Sequence, residues 1–293
     1  MQGKVLQKHG GFYYVNTTEG MYECKLSGKQ KHHQKQQIAA GDQVLFDIDT
    51  FKDGRCGYIT EVLARKNFVP RPGIANVDQM VIVAAIKEPT YDFFQLDKLI
   101  CIARFYGIDP LLCFSKMDMA EEGDETRIHS YYKNTGIALL FMDEAHTPAF
   151  FYDQCAGKTT VLTGNSGVGK SSLINTLFGE PLQPVQDISM KLNRGKHTTR
   201  TSTFFSYQGG YIVDTPGFSA LDFPKEFSKL DLKDLFYEYR QHADACGFNN
   251  CVHINEPNCE IKAFVKHGFF SKERYDNYKK LYEELAERER MRR

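Results

Sequence analysis

A glycine-rich segment that ends in lysine and serine carries the clearest chemistry in the chain. Residues 164–171 read GNSGVGKS and fit the GxxxxGK[ST] pattern of a phosphate-binding loop. Its glycines allow the backbone to approach a ligand closely, and N–H groups at the start of the following helix favour phosphate oxygens. We expect Lys170 to reach the β- and γ-phosphates and the Ser171 hydroxyl to ligate Mg²⁺. The residues assigned to nucleotide binding here are Gly164, Asn165, Ser166, Gly167, Val168, Gly169, Lys170, Ser171 and Ser172.

A second motif lies upstream of this loop. Residues 115–118 read SKMD and are similar to the [NT]KxD element that reads guanine, with Ser115 where Asn or Thr is usual. The Asp118 carboxylate can accept hydrogen bonds from the guanine N1–H and amino group, a donor pair that adenine lacks. Together with Lys116 and Ser115, Asp118 therefore predicts GTP or GDP as the ligand. In ordinary GTPases this element comes after the phosphate loop, so the order here is inverted.

Two downstream segments are placed to sense the γ-phosphate. Residues 214–217 read DTPG after an apolar strand. We expect Asp214 to act behind the magnesium ion and Gly217 to offer its N–H to the γ-phosphate. The polar segment Met190 to Arg200 precedes them, and its Thr199 is expected to complete the magnesium shell only in the GTP state.

The position after the DTPG segment, which usually carries the residue that orients the attacking water, does not provide such a residue here. Phe218 follows the DTPG segment, so no glutamine is present there and slow intrinsic turnover is expected. His197 is the hypothesis for this role because an imidazole can accept or donate a proton at neutral pH. A phosphate or RNA contact is the alternative role of His197. Lys170 and Thr199 complete the set of catalytic candidates.

Residues 246–259 read CGFNNCVHINEPNC and supply a compact set of metal ligands. Cys246, Cys251, His253 and Cys259 form a Cys₃His set, which suits one closed, tetrahedral and structural Zn²⁺ site. Ordinary buried thiols beside a surface histidine are the alternative. His242 and His267 are less well placed candidates.

The surrounding pattern predicts the elements that position these residues. Residues 1–66 contain five short strands, which favour a small barrel of the OB type, with an SH3-like barrel as the alternative. A polar, basic loop between the third and fourth strands could follow a phosphate backbone or simply be solvated. From about residue 70, strands alternate with helices, as in a parallel sheet covered on both faces. Apolar spacing over Lys272 to Arg290 predicts a C-terminal helix.

Composition limits the remaining classes. The 293 residues have zero formal net charge, so any contact with RNA must come from local basic patches. No apolar run approaches the roughly 20 residues that span a bilayer, and the first residues lack the apolar core of a secretory signal. The expectation is a cytoplasmic protein without membrane attachment, in which the eight cysteines serve as thiols or metal ligands.

The reordered motifs resemble one family closely: the ribosome small subunit-dependent GTPase A family of circularly permuted bacterial GTPases. The resemblance covers nearly the whole chain. It includes the junction residues Arg65-Lys66-Asn67, Arg71-Pro72 and 75–79 (ANVDQ), the RGKHTT segment 194–199, and the cysteine cluster. One family feature, a Ser-Ala or Ser-Ser element after the strand Ile137 to Phe141, is replaced by Met142-Asp143.

This resemblance implies a three-domain protein: an N-terminal all-β OB-type barrel (1–66), an α/β circularly permuted P-loop GTPase domain (67–222) and a C-terminal α-helical zinc-binding domain (223–293). It implies a monomeric GTPase that acts in late maturation of the small ribosomal subunit. Its partners would be that subunit with its rRNA and GTP or GDP, and its cofactors Zn²⁺ and Mg²⁺. Two alternatives are an RNA-binding scaffold with a structural nucleotide and a permuted ATPase or GTPase that serves RNA modification.

Overall fold

The structure, a computed structural model, describes residues 1–28, 37–51, 54–143, 146–179, 202–215 and 221–292. The chain forms two compact units. The first comprises Met1–Met80, Pro148–Thr163 and Leu173–Ala220; the second comprises Val81–Thr147, Gly164–Ser172 and Leu221–Arg293. Both units contain segments from distant parts of the chain. The predicted domain boundaries at residues 66 and 222 stay a prediction.

A closed five-stranded barrel begins the first unit. Its strands are β1 (Gln2–His9), β2 (Phe12–Thr17), β3 (Gly20–Leu26), β4 (Gln43–Ile48) and β5 (Cys56–Val62). The strand order is β1-β2-β3-β5-β4, with β3 and β5 parallel and β1 and β4 closing the barrel. Side chains that alternate along the strands point into the barrel, and Val15, Phe46 and Ile59 among them are fully buried. The OB-type prediction is confirmed by this Greek-key order.

The remaining strands follow in chain order: β6 (Phe68–Val69), β7 (Ile74–Ala75), β8 (Gln79–Ala85), β9 (Asp109–Ser115), β10 (Ala138–Phe141), β11 (Thr159–Thr163), β12 (Thr203–Tyr207) and β13 (Gly210–Asp214). In the first unit, β11 pairs in parallel with β13, and β12 pairs antiparallel with β13. In the second unit, the order is β10-β9-β8, with β9 and β10 parallel. Every residue of β8 and of β11 is buried, as expected for strands covered on both faces.

The helices are α1 (Phe93–Phe105), α2 (Asp124–Tyr131), α3 (Thr147–Cys155), α4 (Lys170–Phe178), α5 (Leu232–Leu235), α6 (Tyr237–Arg240), α7 (Glu260–Lys266) and α8 (Lys272–Arg290). The bounds of α8 match the prediction. Helix α2 begins at Asp124, directly after Gly123, whose φ of +95° is not a helical backbone conformation. Sequence reasoning missed α3, where Pro148 suits a first helical turn but the apolar spacing is weak.

Helices α5 to α8 and the intervening loops form a C-terminal lobe that shares its core with α1. Phe236, Tyr239, Tyr278 and Leu281 are fully buried there, together with Cys101 of α1. A buried ionic cluster ties the same helices together. Arg274 of α8 pairs with Asp97 of α1 and, at 2.8 Å, with Glu238 of α6.

A second ionic cluster lies where the chain enters this lobe. The Lys98 ammonium lies 2.9 Å from Asp222 Oδ1 and 2.6 Å from Glu284 Oε1. It also lies 5.4 Å from the centre of the Phe223 ring. Lys98 therefore joins α1, the segment that follows residue 220, and α8. We call these four residues the Lys98 clamp.

Candidate nucleotide site and metal centre

One cavity of about 550 Å³ brings the guanine-reading motif and the phosphate loop together. Asp118 and Lys170 both line it, although they are far apart in the chain. The residues that line this cavity are Ser115, Lys116, Asp118, Met142, Ser166, Gly167, Gly169, Lys170, Ser171 and Ser172. Most of the predicted site residues within the second unit therefore converge on one volume, as binding of one nucleotide requires, whereas Gly164, Asn165 and Val168 do not line it.

The phosphate loop adopts the backbone that its glycines permit. Gly164, Gly167 and Gly169 have φ values of +144°, +78° and +91°. A Cβ atom on Gly164 would lie 2.2 Å from the Val83 carbonyl oxygen, so no side chain fits there. The Lys170 ammonium donates to the carbonyl oxygens of Gly164 and Asn165, each at 2.8 Å. The lysine thus caps the loop from the first helical residue of α4.

Ser115 connects the two motifs directly. Its buried hydroxyl donates to the Val168 carbonyl oxygen at 2.5 Å, within the phosphate loop. The serine that replaces the usual Asn or Thr therefore keeps a contact between the base-reading segment and the phosphate loop. Lys116 has a left-handed backbone, with φ of +56°, and its ammonium donates to the Glu88 carbonyl oxygen. Asp118 follows in a short 3-10 helix, Met117–Met119, with its side chain exposed.

Met142, which stands where the family has its Ser-Ala or Ser-Ser element, also lines the cavity. It directly follows β10, at the carboxyl end of a parallel strand, where ligands of α/β folds bind. The sequence analysis did not assign it to nucleotide binding. The N–H of Met142 donates to the Phe114 carbonyl oxygen at 2.8 Å, and the N–H of Asp143 donates to Thr147 Oγ1 at 3.0 Å. Both donors are therefore already engaged within the protein.

The residues predicted to sense the γ-phosphate are described only in part. Asp214 ends β13, where it pairs in register with Leu162 of β11. The Thr215 hydroxyl donates to the Leu162 carbonyl oxygen at 3.4 Å. His197, Thr199 and Gly217 lie outside the described residues.

The Cys₃His set converges as a metal centre would. The donor atoms of Cys246, Cys251, His253 and Cys259 all lie within 4.8 Å of one another. The sulfurs lie 3.7, 3.3 and 3.4 Å, respectively, from His253 Nδ1. Ligands about 2.1 to 2.3 Å from one tetrahedral ion would be separated by roughly 3.5 to 3.8 Å. The four residues can thus hold one metal ion. His242 instead packs against Phe264 and Phe270, and His267 is the C-cap residue that follows α7.

Helix α8 holds the loop that carries these ligands. The Tyr275 hydroxyl donates to the His253 carbonyl oxygen at 2.6 Å, and the Tyr278 hydroxyl donates to the Val252 carbonyl oxygen at 2.7 Å. Burial lowers the pKa of His253 to about 4, which keeps the imidazole neutral and able to ligate. Burial raises the pKa of Cys251 to about 12. A divalent cation acts in the opposite direction because it stabilises the thiolate.

The fold and the cavity define a P-loop GTPase in which the guanine-reading element precedes the phosphate loop. A family model described as RsgA GTPase matches residues 62–224, and one described as RsgA N-terminal domain matches residues 2–59. The chain belongs to the RsgA GTPase family and is a GTP hydrolase.

Relatives of similar length support this membership. A small ribosomal subunit biogenesis GTPase RsgA from Bacillus cytotoxicus is 37% identical over 295 residues, covering 98% of each chain. One from Clostridium botulinum is 35% identical and covers 99% of each. Among solved structures, YloQ, a circularly permuted GTPase, is 30% identical with a TM-score of 0.81, covering 98% of this chain and 95% of that one. YjeQ from Thermotoga maritima is 30% identical with a TM-score of 0.80, covering 97% and 98%.

Proposed function

We propose that this GTPase binds the small ribosomal subunit, acts in its late maturation and hydrolyses GTP with stimulation by that subunit. The observation that carries the proposal is the single cavity shared by Asp118 and Lys170. The names of the full-length relatives supply the partner. In this scheme the GTP form favours the bound state, hydrolysis favours release, and the monomeric protein works in the cytoplasm through contacts with rRNA.

Each predicted site residue has a proposed task in this reaction. Asp118 accepts hydrogen bonds from the guanine base, and backbone N–H groups of Ser166 to Gly169 surround the phosphates. Lys170 exchanges the carbonyl oxygens of Gly164 and Asn165 for phosphate oxygens. Ser171 and Thr199 would hold Mg²⁺, supported by Asp214, and the bound ion would neutralise phosphate charge. Gly217 donates its N–H to the γ-phosphate.

His197 remains the hypothesis for the group that orients the attacking water. The supporting feature is Phe218, which cannot perform this role. Single-turnover hydrolysis with small subunits should slow strongly in His197→Ala. An unchanged rate would assign His197 to another contact.

The Cys₃His set is proposed to hold one structural Zn²⁺. Three thiolates and a neutral imidazole match the preference of this ion, and the four donors fill a tetrahedral shell without an open position. The proposed role of the ion is therefore to fold the C-terminal lobe. Lys25, which is exposed at the end of β3, begins the basic loop assigned to RNA; residues 29–36 of that loop lie outside the described residues.

Turnover of GTP and ATP, each with and without small subunits, tests the proposal. We expect slow GTP hydrolysis alone, strong stimulation by subunits and no comparable ATP turnover. Binding without stimulated turnover would favour an RNA-binding scaffold with a structural nucleotide. ATP preference, or indifference to subunits, would favour an enzyme that serves RNA modification. Lys170→Met is the matched negative control because it keeps an unbranched side chain of similar length but removes the cation.

A further inference from the structure

Two pairs of side chains meet at one point between the barrel and the strands that lead to the nucleotide. Lys4 and Asn16 are cross-strand partners on β1 and β2. Thr159 and Tyr211 are neighbours across the parallel strands β11 and β13. All four residues belong to the first compact unit.

Direct contacts join these pairs. The Lys4 ammonium donates to Thr159 Oγ1 at 2.6 Å and lies 5.0 Å from the centre of the Tyr211 ring. The Asn16 amide donates to the Tyr211 hydroxyl at 2.7 Å. We call Lys4, Asn16, Thr159 and Tyr211 the barrel junction.

Burying the Lys4 ammonium at the barrel junction costs free energy, which argues against an incidental surface contact. Burial lowers the pKa of Lys4, and the nearby Asp78 carboxylate partly offsets this effect. Asp78 is itself fixed, since its Oδ2 accepts the N–H of Thr159 at 2.8 Å and its Oδ1 accepts from the Lys66 ammonium at 3.0 Å. A cation withdrawn from water is tolerated only where such partners are held in place.

The two strands that carry Thr159 and Tyr211 lead to the phosphate loop and to Asp214. β11 runs from Thr159 into Gly164 of the phosphate loop, and β13 runs from Gly210 to Asp214. Each strand is five residues long, so its ends lie about 13 Å apart at a rise of about 3.3 Å per residue. Because buried strands in a sheet are stiff, a displacement at Thr159 and Tyr211 is passed along them rather than absorbed.

We propose that Lys4 and Asn16 are positioning residues through which binding of the small subunit to the barrel sets the phosphate loop and Asp214 for hydrolysis. The inference rests on the proposed function, because it assigns a route for the stimulation by the subunit. It predicts that the junction affects the stimulated reaction and leaves the basal reaction alone. A merely structural role would lower both rates together.

Lys4→Met and Tyr211→Phe test this inference in the full-length protein. The first removes the cation and keeps an unbranched stem; the second removes only the hydroxyl that Asn16 contacts. For each variant, GDP affinity, small-subunit affinity, melting temperature and single-turnover GTP hydrolysis with and without subunits are measured. We expect unchanged basal hydrolysis and nucleotide affinity, with stimulated hydrolysis reduced about tenfold, the size of a typical coupling between sites.

Lys8→Met is the matched control. Lys8 lies on the same strand, β1, and its ammonium lies over the Tyr13 ring of the barrel itself. This variant should keep full stimulation. The inference is overturned if Lys4→Met and Tyr211→Phe keep wild-type stimulation, or if basal and stimulated rates fall in parallel. An absence of stimulation in the wild type would instead reject the proposed function.

Discussion

At the scale of single residues, Asp118 and Ser115 are placed differently within the segment proposed to read the base. Asp118 is exposed and lines the cavity, whereas Ser115 is buried and its hydroxyl contacts the phosphate loop. In the proposed function, Asp118 chooses the base and Ser115 positions the segment that carries it.

Asp118→Asn should change the preferred nucleotide from GTP to xanthosine triphosphate. The amide can donate to the second oxygen of xanthine, whereas it no longer accepts both guanine donors. Affinity for GDP should fall by about 10- to 100-fold, since a charged hydrogen-bond pair is lost. Competition binding with GDP and xanthosine diphosphate measures this change. An unchanged preference for GDP would remove Asp118 from the base contact, and Asp124→Asn, at the start of α2, is a nearby control.

At the scale of elements, Arg274 holds α1, α6 and α8 together. It is almost completely buried and lies against two carboxylates, those of Asp97 and Glu238. The Tyr131 hydroxyl also donates to Asp97 at 2.5 Å. Three helices that are not consecutive in the chain thus depend on one guanidinium.

Arg274→Met should lower the free energy of unfolding by about 3 to 5 kcal/mol, because Asp97 would remain buried without its cation and Glu238 would keep only Arg104, at 3.7 Å. Urea unfolding followed by far-ultraviolet circular dichroism measures the loss. Arg127→Met is the control, since Arg127 pairs with Glu273 at the surface and should contribute less than about 1 kcal/mol. Equal losses in the two variants would contradict the role of Arg274.

At the scale of the whole molecule, the C-terminal lobe depends on ligands that lie within a short stretch of chain. Removing zinc should unfold this lobe, because structural zinc contributes on the order of 10 kcal/mol to small units. Zinc content measured by mass spectrometry should fall from one ion per chain to near zero in Cys251→Ala, with loss of helical signal. Cys56→Ala, in the barrel, should keep the ion. A lobe that stays folded in a chelator would show that the Cys₃His set is not structural.

The sequence predicted those parts of the fold and site that local patterns determine. The bounds of β11 follow from an apolar run before a glycine-rich motif, and those of α8 follow from the spacing of Tyr275, Tyr278, Leu281 and Leu285. The short helices α5 to α7 escaped prediction because tertiary packing, rather than intrinsic propensity, stabilises elements of this length. The Ser115 to Val168 contact and the barrel junction could not be foreseen, since both join residues that are brought together only by folding.

The Lys98 clamp has a mechanical consequence for this order of motifs. Only four residues separate Gly217 from Asp222, and a stretch of that length reaches about 17 Å when fully extended. Asp222 forms an ion pair with the Lys98 ammonium, which also pairs with Glu284 of α8. Chain length therefore limits how far Gly217, the proposed γ-phosphate contact, can move relative to Asp222, and a longer displacement of Gly217 after phosphate release would pull on the C-terminal lobe. We expect movement of Gly217 to be transmitted to the C-terminal lobe through this short stretch of chain. Lengthening the stretch with glycines would therefore uncouple release of the subunit from hydrolysis.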